Sequence, residues 1–420
     1  MLNQEQQKAF NLMLSGKNVF LTGNAGTGKS YLLNEFIKYQ EKQKKKIIVT
    51  APTGIAAINV GGTTIHRAFK VPLKPIGPDV KCMPGDVLRS ADIIIIDEIS
   101  MVRFDVFYYI WKTINTIKNG GWYDGKDIQL IVVGDFFQLP PVVTYTDRAI
   151  LRQLWKNVNF GEGFAFGTKA WNDCDFKSIV LKTIVRQKEP RFINALNNVR
   201  HGDIKGIVDL YNVSSKKWID NAIYLCGTNE EAKRVNEDRL KNIAAQEYTF
   251  RSEIAGRVNP GDKPVDDIIK LKVGARVIIA VNDTVFDKYQ NGSMGTIETI
   301  NNKSIVVKLD SGKKCTLKPH KWEIVEYALS GSGVRKRVIG TYTQMPVKLG
   351  YAITMHKSQG QTFNKVNINP QSFCEGQLYV GLSRCTNPDG LYIKSSIEDF
   401  MNHNWLMTSD RVIRFYNNIE

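Results

Sequence analysis

The stretch Gly23-Asn24-Ala25-Gly26-Thr27-Gly28-Lys29-Ser30 constrains this chain more than any other. It follows the apolar run 19–21 and opens the helix-period run 31–39. A GxxxxGK[ST] sequence between a strand and a helix lets backbone N–H groups wrap phosphates at the helix N-terminus. Lys29 then reaches the β- and γ-phosphates, and the Ser30 hydroxyl ligates Mg²⁺. A strand must lie beside this loop, and short aliphatic runs supply several. Strands are expected at 18–22, 46–51, 92–97 and 128–134, with a helix near 103–118, where Val106, Ile110 and Ile117 fall at helical spacing. Asn3 with Gln6 reads as a helix N-cap pair. Such alternation predicts an α/β fold whose parallel sheet is covered on both faces.

Parallel strands open onto a ligand crevice at their C-terminal ends. The run Ile93-Ile94-Ile95-Ile96 ends in Asp97-Glu98, which places Asp97 in the Mg²⁺ shell and Glu98 where it can orient or deprotonate an attacking water. The next strand ends in Gly134-Asp135-Phe136-Phe137-Gln138, and Gln138 is positioned to sense a γ-phosphate. Pro52-Thr53 and Thr63-Thr64-Ile65-His66 put hydroxyls and a histidine on loops, which suits contacts to a phosphate backbone. Farther along, Arg186-Gln187 and Ser383-Arg384 supply arginines able to stabilise charge on a transferring phosphoryl group.

Two segments break the alternation. Residues 69–86 contain four prolines, at 72, 75, 78 and 84, and so cannot form a central strand. They read as a rigid protruding loop or small subdomain. Residues 274–345 turn β-rich, with hairpin signals at Asn291-Gly292 and Asp310-Ser311-Gly312. Between 301 and 340, nine Lys or Arg face three acids, a basic patch that suits either a solvated face or nucleic acid. The whole chain carries 57 basic against 41 acidic residues, or +16, which favours a polyanionic partner.

Composition narrows the class. With 43% hydrophobic and 23% charged residues, the 420-residue chain is an ordinary globular protein of about two to four domains. No aliphatic run is long enough to span a bilayer, and the first residues lack an apolar signal core. Six cysteines, at 82, 174, 226, 315, 374 and 385, show no CxxC spacing, so a reducing compartment is expected and a zinc site is not.

Taken in chain order, these motifs resemble the PIF (petite integration frequency) family of superfamily 1B helicases, with RecD-like helicases as near relatives. The resemblance rests on Leu2-Asn3-Gln4-Glu5-Gln6, the phosphate loop, Ala51-Pro52-Thr53-Gly54, Asp97-Glu98-Ile99-Ser100-Met101, Gly134-Asp135-Phe136-Phe137-Gln138-Leu139-Pro140-Pro141 and Arg186-Gln187. It continues through residues 351–362 and 377–386, so it covers nearly the whole chain. It implies two RecA-like P-loop NTPase domains with parallel sheets. Residues 1–175 would form the first, with a wedge insertion at about 69–88. Residues 176–420 would form the second, with an SH3-like β-barrel insertion at about 274–345. It implies ATP and Mg²⁺ as cofactors, with nucleotide contacts from Gln6, Gly23, Ala25, Gly26, Thr27, Gly28, Lys29, Ser30 and Gly360, and with Gln6 reading adenine. Arg186 and Arg384 become arginine fingers. Pro52, Thr53, Thr64, His66, Thr354, His356, Lys357 and Ser358 lie near the DNA backbone.

The implied activity is ATP-dependent 5′→3′ translocation on single-stranded DNA, acting as a monomer at single-strand/duplex junctions. The implied compartment is cytoplasmic for a bacterial or phage protein, the favoured case, and nuclear or mitochondrial for a eukaryotic one. Two features depart from the family pattern: Arg103 stands where an acidic residue is common, and Gly381 where a small helix former is common. A P-loop NTPase that remodels protein partners, and a helicase that tracks RNA, are the competing readings. ATPase stimulation by oligo-dT separates the first from a DNA motor. Backbone contacts alone do not separate the second.

Overall fold

Each of the four expected strands forms, at Val19–Gly23, Ile47–Ala51, Ile93–Ile96 and Gln129–Val133, in a computed structural model that describes residues 2–120, 125–156, 158–283, 288–330 and 333–419. They join Thr63–Thr64 and Lys177–Leu181 in a six-stranded, wholly parallel sheet. From one edge the order is Thr63–Thr64, Ile47–Ala51, Ile93–Ile96, Gln129–Val133, Val19–Gly23 and Lys177–Leu181. The central strands are buried throughout, which is why they read as unbroken apolar runs rather than alternating ones.

Alternate residues still serve different layers. Val19, Leu21, Ile93, Ile95, Ile131 and Val133 pack with Ala9, Met13, Leu32, Leu33 and Phe36 of the helices Gln4–Leu14 and Lys29–Lys42. Phe20 points the other way into an aromatic cluster with Phe136, Trp171 and Phe415. The expected helix near 103–118 is Phe104–Lys118, with Phe107 against Trp171.

The chain divides into two compact units: Met1–Val185 with Val325–Ile339 and Asp410–Glu420, and Arg186–Ile324 with Gly340–Ser409. This differs from an expected boundary at 175/176. Lys177–Leu181 pairs along the whole length of the phosphate-loop strand and so belongs to the first sheet. The final helix, Asp410–Asn417, belongs with the first unit as well.

The second unit holds a four-stranded parallel sheet in the order Ala352–Thr354, Ile223–Cys226, Val366–Ile368 and Leu391–Ile393. Its β-rich insertion falls into antiparallel sheets. Lys314–Leu317, Ser304–Leu309, Met294–Asn301, Arg276–Ile279 and Val347–Leu349 form one, and a separate sheet orders His320–Ser330, Gly333–Gln344 and Glu253–Gly256. Asp310-Ser311-Gly312 makes its expected hairpin, with Gly312 at φ 84°. Asn291-Gly292 instead sits in the longer connection between Ile279 and Met294, where the Gly292 N–H donates to the Ile279 carbonyl at 2.9 Å. Residues 325–339 group with the first unit, where the Val49 N–H donates to the Tyr327 hydroxyl at 3.0 Å and the Thr63 hydroxyl to the Val325 carbonyl at 3.0 Å.

The proline-rich segment contains no strand, as expected, but much of it is anchored. The Ile76 N–H donates to Asp105 Oδ2 at 2.9 Å, and the Trp155 indole N–H donates to the Ile76 carbonyl at 2.8 Å. The Tyr108 hydroxyl and Lys112 ammonium both donate to the Pro78 carbonyl. Val71 and Ile76 are buried, whereas Leu73 is 94% exposed and Met83 85%. Arg103, the unexpected residue, explains the anchoring. Its guanidinium donates to both Asp105 oxygens at 2.6 and 2.9 Å and pairs with Asp147 at 3.2 Å. The fully buried Asp105 carboxylate thereby stays satisfied while it holds the Ile76 backbone.

Candidate active site and nucleic-acid interface

In the first unit the phosphate loop is enclosed on several sides. Gly23 lies so close to the neighbouring strand that a Cβ would sit 2.3 Å from the Leu181 carbonyl oxygen. Gly28 has φ 82°, and a Cβ there would meet Gln6 Nε2 at 2.6 Å. Thr27 is buried, and its hydroxyl donates to the Asn24 carbonyl at 2.9 Å. Ala25 is buried, and Gly26 accepts from the Val185 N–H at 2.8 Å. The Lys29 ammonium donates to the Gly23 and Asn24 carbonyls at 2.7 and 3.0 Å, which places its charge within the curl of the loop. Ser30 follows on the exposed side of the first helical turn.

Gln6 completes a capping box. The Asn3 side chain accepts from the Gln6 N–H at 2.8 Å, and Gln6 Oε1 accepts from the Asn3 N–H at 3.1 Å. Gln6 Nε2 also donates to the Thr27 carbonyl at 3.2 Å, so one amide ties the first helix to the phosphate loop.

Asp97 and Glu98 stand at the C-terminal end of Ile93–Ile96, as the sequence implies. Burial and the adjacent Glu98 carboxylate push the Asp97 pKa up to about 7, against the Glu98 N–H and the Lys29 charge. Glu98 has φ 52°, a left-handed conformation that costs a non-glycine residue about 1–3 kcal/mol and recurs at functional sites. A buried carboxylate whose ionisation is opposed fits a cation. Among the described residues no group of three or more His, Cys, Asp or Glu side chains could hold a metal by itself. Asp97 and the Ser30 hydroxyl therefore suit an ion whose remaining ligands are phosphates and water, the usual magnesium arrangement.

Gln138 is buried, with its N–H donating to the Asp135 carbonyl at 2.9 Å and its amide 3.5 Å from Asp135 Oδ2. Sequence reasoning missed the group behind it. Tyr416 of the final helix donates to Asp135 Oδ1 at 3.3 Å, accepts from the Phe136 N–H at 3.2 Å, and lies 2.6 Å from the Thr22 hydroxyl. One phenol thus links the phosphate-loop strand to the strand end bearing Gln138.

The expected backbone-contact residues of this unit line the same strand ends. Thr53 and Thr64 cap the short helices Gly54–Asn59 and Ile65–Phe69, accepting from the Ala56 and Arg67 N–H groups. Thr53 is exposed, while Pro52, Thr64 and His66 are half-buried. Burial and the neighbouring Arg103 lower the His66 pKa, against the pull of Asp105, which keeps the imidazole neutral at pH 7.

In the second unit the structure separates residues that the sequence had grouped. Ser358 is fully buried, its hydroxyl donating to the Met355 carbonyl at 2.7 Å. Thr354 is buried and accepts from the Lys357 N–H at 3.2 Å. Both hydroxyls serve the local turn, while Lys357 and Gly360 are exposed and His356 is half-buried. Gly360, at φ 77°, has open space where a side chain would be.

Arg186 and Arg384 converge on Ser383. Arg186 Nη1 and Gln187 Nε2 both donate to the Ser383 carbonyl at 3.1 Å, and Arg384 Nη2 donates to the Ser383 hydroxyl at 2.8 Å. Burial lowers the Arg186 pKa, although a guanidinium remains charged throughout the physiological range. Gly381 is explained by packing, since a Cβ there would meet Ile368 Cδ1 at 2.6 Å and Met355 Sδ at 2.8 Å.

A phosphate loop, an acidic pair at a neighbouring strand end, and a second unit that holds its own parallel sheet and a pair of arginines on one serine define a P-loop NTPase of the helicase class. A family model described as PIF1-like helicase matches residues 1–209. The ATP-dependent DNA helicase Pif1 of Campylobacter jejuni is 33% identical over 444 aligned positions, covering 96% of this chain and 95% of that protein. A crystal structure of Bacteroides sp Pif1 in complex with ADP-AlF4 matches with a TM-score of 0.87 at 34% identity, covering 100% of this chain and 97% of that one. A crystal structure of Bacteroides Pif1 bound to ssDNA matches with a TM-score of 0.67 at 34% identity, covering 100% and 96%. The chain belongs to the Pif1 family of ATP-dependent DNA helicases.

Proposed function

We propose that the chain couples ATP hydrolysis to 5′→3′ movement on single-stranded DNA and unwinds the duplex it meets. The observation that carries this reading is the convergence of Lys29, Asp97, Glu98 and Gln138 at the C-terminal ends of one parallel sheet. The family membership, and the single-stranded DNA bound by a Bacteroides relative, support DNA as the track.

Lys29 draws the β- and γ-phosphates into the loop, and Gln6 buttresses that loop beside the adenine. Glu98, fixed in a left-handed conformation, orients the attacking water and accepts its proton. Asp97 and Ser30 would hold Mg²⁺, which neutralises developing phosphate charge when bound. Gln138 senses the γ-phosphate, and the guanidinium groups of Arg186 and Arg384 stabilise charge on the transferring group. Thr53, Thr64, His66, His356 and Lys357 grip the DNA backbone.

The insertion at 69–88 acts as a wedge, and the β-rich insertion takes the SH3-like role. The protein works as a monomer in a reducing compartment, the cytoplasm of a bacterium or phage-infected cell. Its free cysteines and a bacterial relative support that placement. No described helix is long and apolar enough to cross a membrane.

Duplexes with either a 5′ or a 3′ single-stranded tail provide the test. ATP-dependent unwinding of the 5′-tailed substrate is expected. Preferential unwinding of the 3′-tailed one overturns the polarity, and none of either overturns the reading.

A further inference from the structure

Phe373 lies on the loop that follows the Val366–Ile368 strand of the second unit, at the C-terminal edge of its parallel sheet. It is 62% exposed, yet its backbone is held. The Phe373 N–H donates to Oε1 of the fully buried Gln377 at 2.9 Å. On one side the Ser372 hydroxyl donates to the Trp405 carbonyl, and on the other the Gly376 N–H donates to the Met407 carbonyl at 3.0 Å. The ring also borders Gly227, where an added Cβ would sit 3.5 Å from Phe373 Cε1.

The exposed ring is stacked on His356, with centroids 5.8 Å apart and planes within 14° of parallel. Burial lowers the His356 pKa, so its imidazole is a neutral, flat partner at pH 7. The next residue, Lys357, is exposed and cationic. A scattered exposed apolar side chain needs no explanation. An exposed aromatic ring on a held backbone, backed by a second ring whose chain neighbour is an exposed lysine, has the two elements that hold single strands: a π-face for a base and a cation for the backbone.

We propose that Phe373, supported by His356, is a stacking platform for one base of the bound single strand. The second unit then grips its track through a base as well as through phosphates. Stacking is tolerant of base identity, so the platform adds affinity without sequence preference. The inference rests on the reading of the chain as a single-stranded DNA motor.

The test compares full-length wild type with Phe373→Ala and Phe373→Trp by fluorescence anisotropy, using labelled oligo-dT and an equally long oligonucleotide of abasic sites. Phe373→Ala should weaken oligo-dT binding by about 5- to 150-fold, the worth of one stacked base. Phe373→Trp should restore it. On the abasic strand, wild type and Phe373→Ala should bind alike. Unchanged oligo-dT binding by Phe373→Ala overturns the platform and leaves the motor intact. An equal loss on both strands overturns it as well, because the loop then supports backbone contacts instead. Wild type that binds neither strand overturns the DNA reading itself.

Discussion

The hydroxyl of Tyr416 offers a decisive single-atom perturbation. Its phenol donates to Asp135 Oδ1 and accepts from the Phe136 N–H and the Thr22 hydroxyl, all in a setting where Thr22 and Asp135 are fully buried and Tyr416 is 2% exposed. Tyr416→Phe keeps the ring against Phe137, at a centroid distance of 4.8 Å, and removes only the oxygen. The Phe136 N–H is then left without that acceptor in a place water does not reach, at a cost of about 1–3 kcal/mol. The lost hydrogen bond to a carboxylate adds roughly 1.5–3 kcal/mol, reduced here because its 3.3 Å length is long and because Asp135 Oδ1 still accepts from the Phe137 N–H. The Thr22 hydroxyl can rotate, so it contributes less. A net loss of about 2–4 kcal/mol in the first unit follows, or a fall of roughly 5–15 °C in its unfolding transition. The same change removes one of the bonds that position Asp135, whose Oδ2 lies 3.5 Å from the Gln138 amide. Single-strand-stimulated kcat should therefore drop about tenfold, whereas KM for ATP, set by Lys29 and the loop backbone, should move less than twofold. Differential scanning calorimetry and steady-state ATPase assays read both effects. A melting transition within 1 °C of wild type, or kcat unchanged in Tyr416→Phe while Gln138→Ala is impaired, refutes the reasoning.

Lys29→Ala should abolish ATP turnover, and Glu98→Gln should retain nucleotide binding in a fluorescent-nucleotide assay while losing hydrolysis; near-wild-type hydrolysis by Glu98→Gln removes it as the base. Arg186→Ala and Arg384→Ala should each slow single-strand-stimulated ATPase by roughly 10³-fold with little change in nucleotide-free DNA affinity, and the opposite pattern places them on the track. Leu73→Ser should preserve stimulated ATPase and reduce unwinding of a 5′-tailed duplex, because Leu73 is a 94% exposed apolar side chain of the proline-rich segment; equal unwinding removes the wedge role. A Gly/Ser linker across 71–76 is a poorer probe, since it deletes the buried Val71 and Ile76 along with Leu73.

The phosphate loop, Asp97-Glu98 and Gln138 were legible in sequence because each is a short contiguous run whose strand and helix context surrounds it. Residues whose roles depend on distant partners were not. Tyr416 meets Thr22 across 394 positions, and nothing in an amphipathic terminal helix marks one tyrosine as a linchpin. Lys177–Leu181 looked like the start of a second domain, because local pattern cannot say which sheet edge a strand will join. Arg103 appeared only as a departure from a family pattern, since its carboxylate partner Asp105 matters once residues 69–86 fold against the Phe104–Lys118 helix. The family resemblance implies Thr354 and Ser358 near the DNA backbone, and it does not show which way their hydroxyls turn. The fold turns both hydroxyls inward, where they hold the shape of the turn that presents His356 and Lys357.

The arginine-finger role proposed for Arg186 and Arg384 depends on how the second unit holds them. Arg384 is only 1% exposed, with Nε donating to the Val380 carbonyl and Nη2 to the Ser383 hydroxyl, each at 2.8 Å. A further bond, from Nη1 to the Gln361 carbonyl, is 3.4 Å long and correspondingly weak. For the arginine finger proposed above, turning Nη1 toward a phosphoryl oxygen exchanges a long bond to a neutral carbonyl for one to an anionic acceptor. That acceptor belongs to Gln361, next to Gly360, which has a left-handed backbone at φ 77°. Arg186 is oriented by the Ser383 carbonyl, which Gln187 also holds while it grips the Cys385 carbonyl at 2.8 Å. The pair is thus bound to one short segment, and displacement of that segment moves both guanidinium groups together. For the arginine-finger role proposed above, this shared mounting on Ser383 suits a step in which both positive charges are used together.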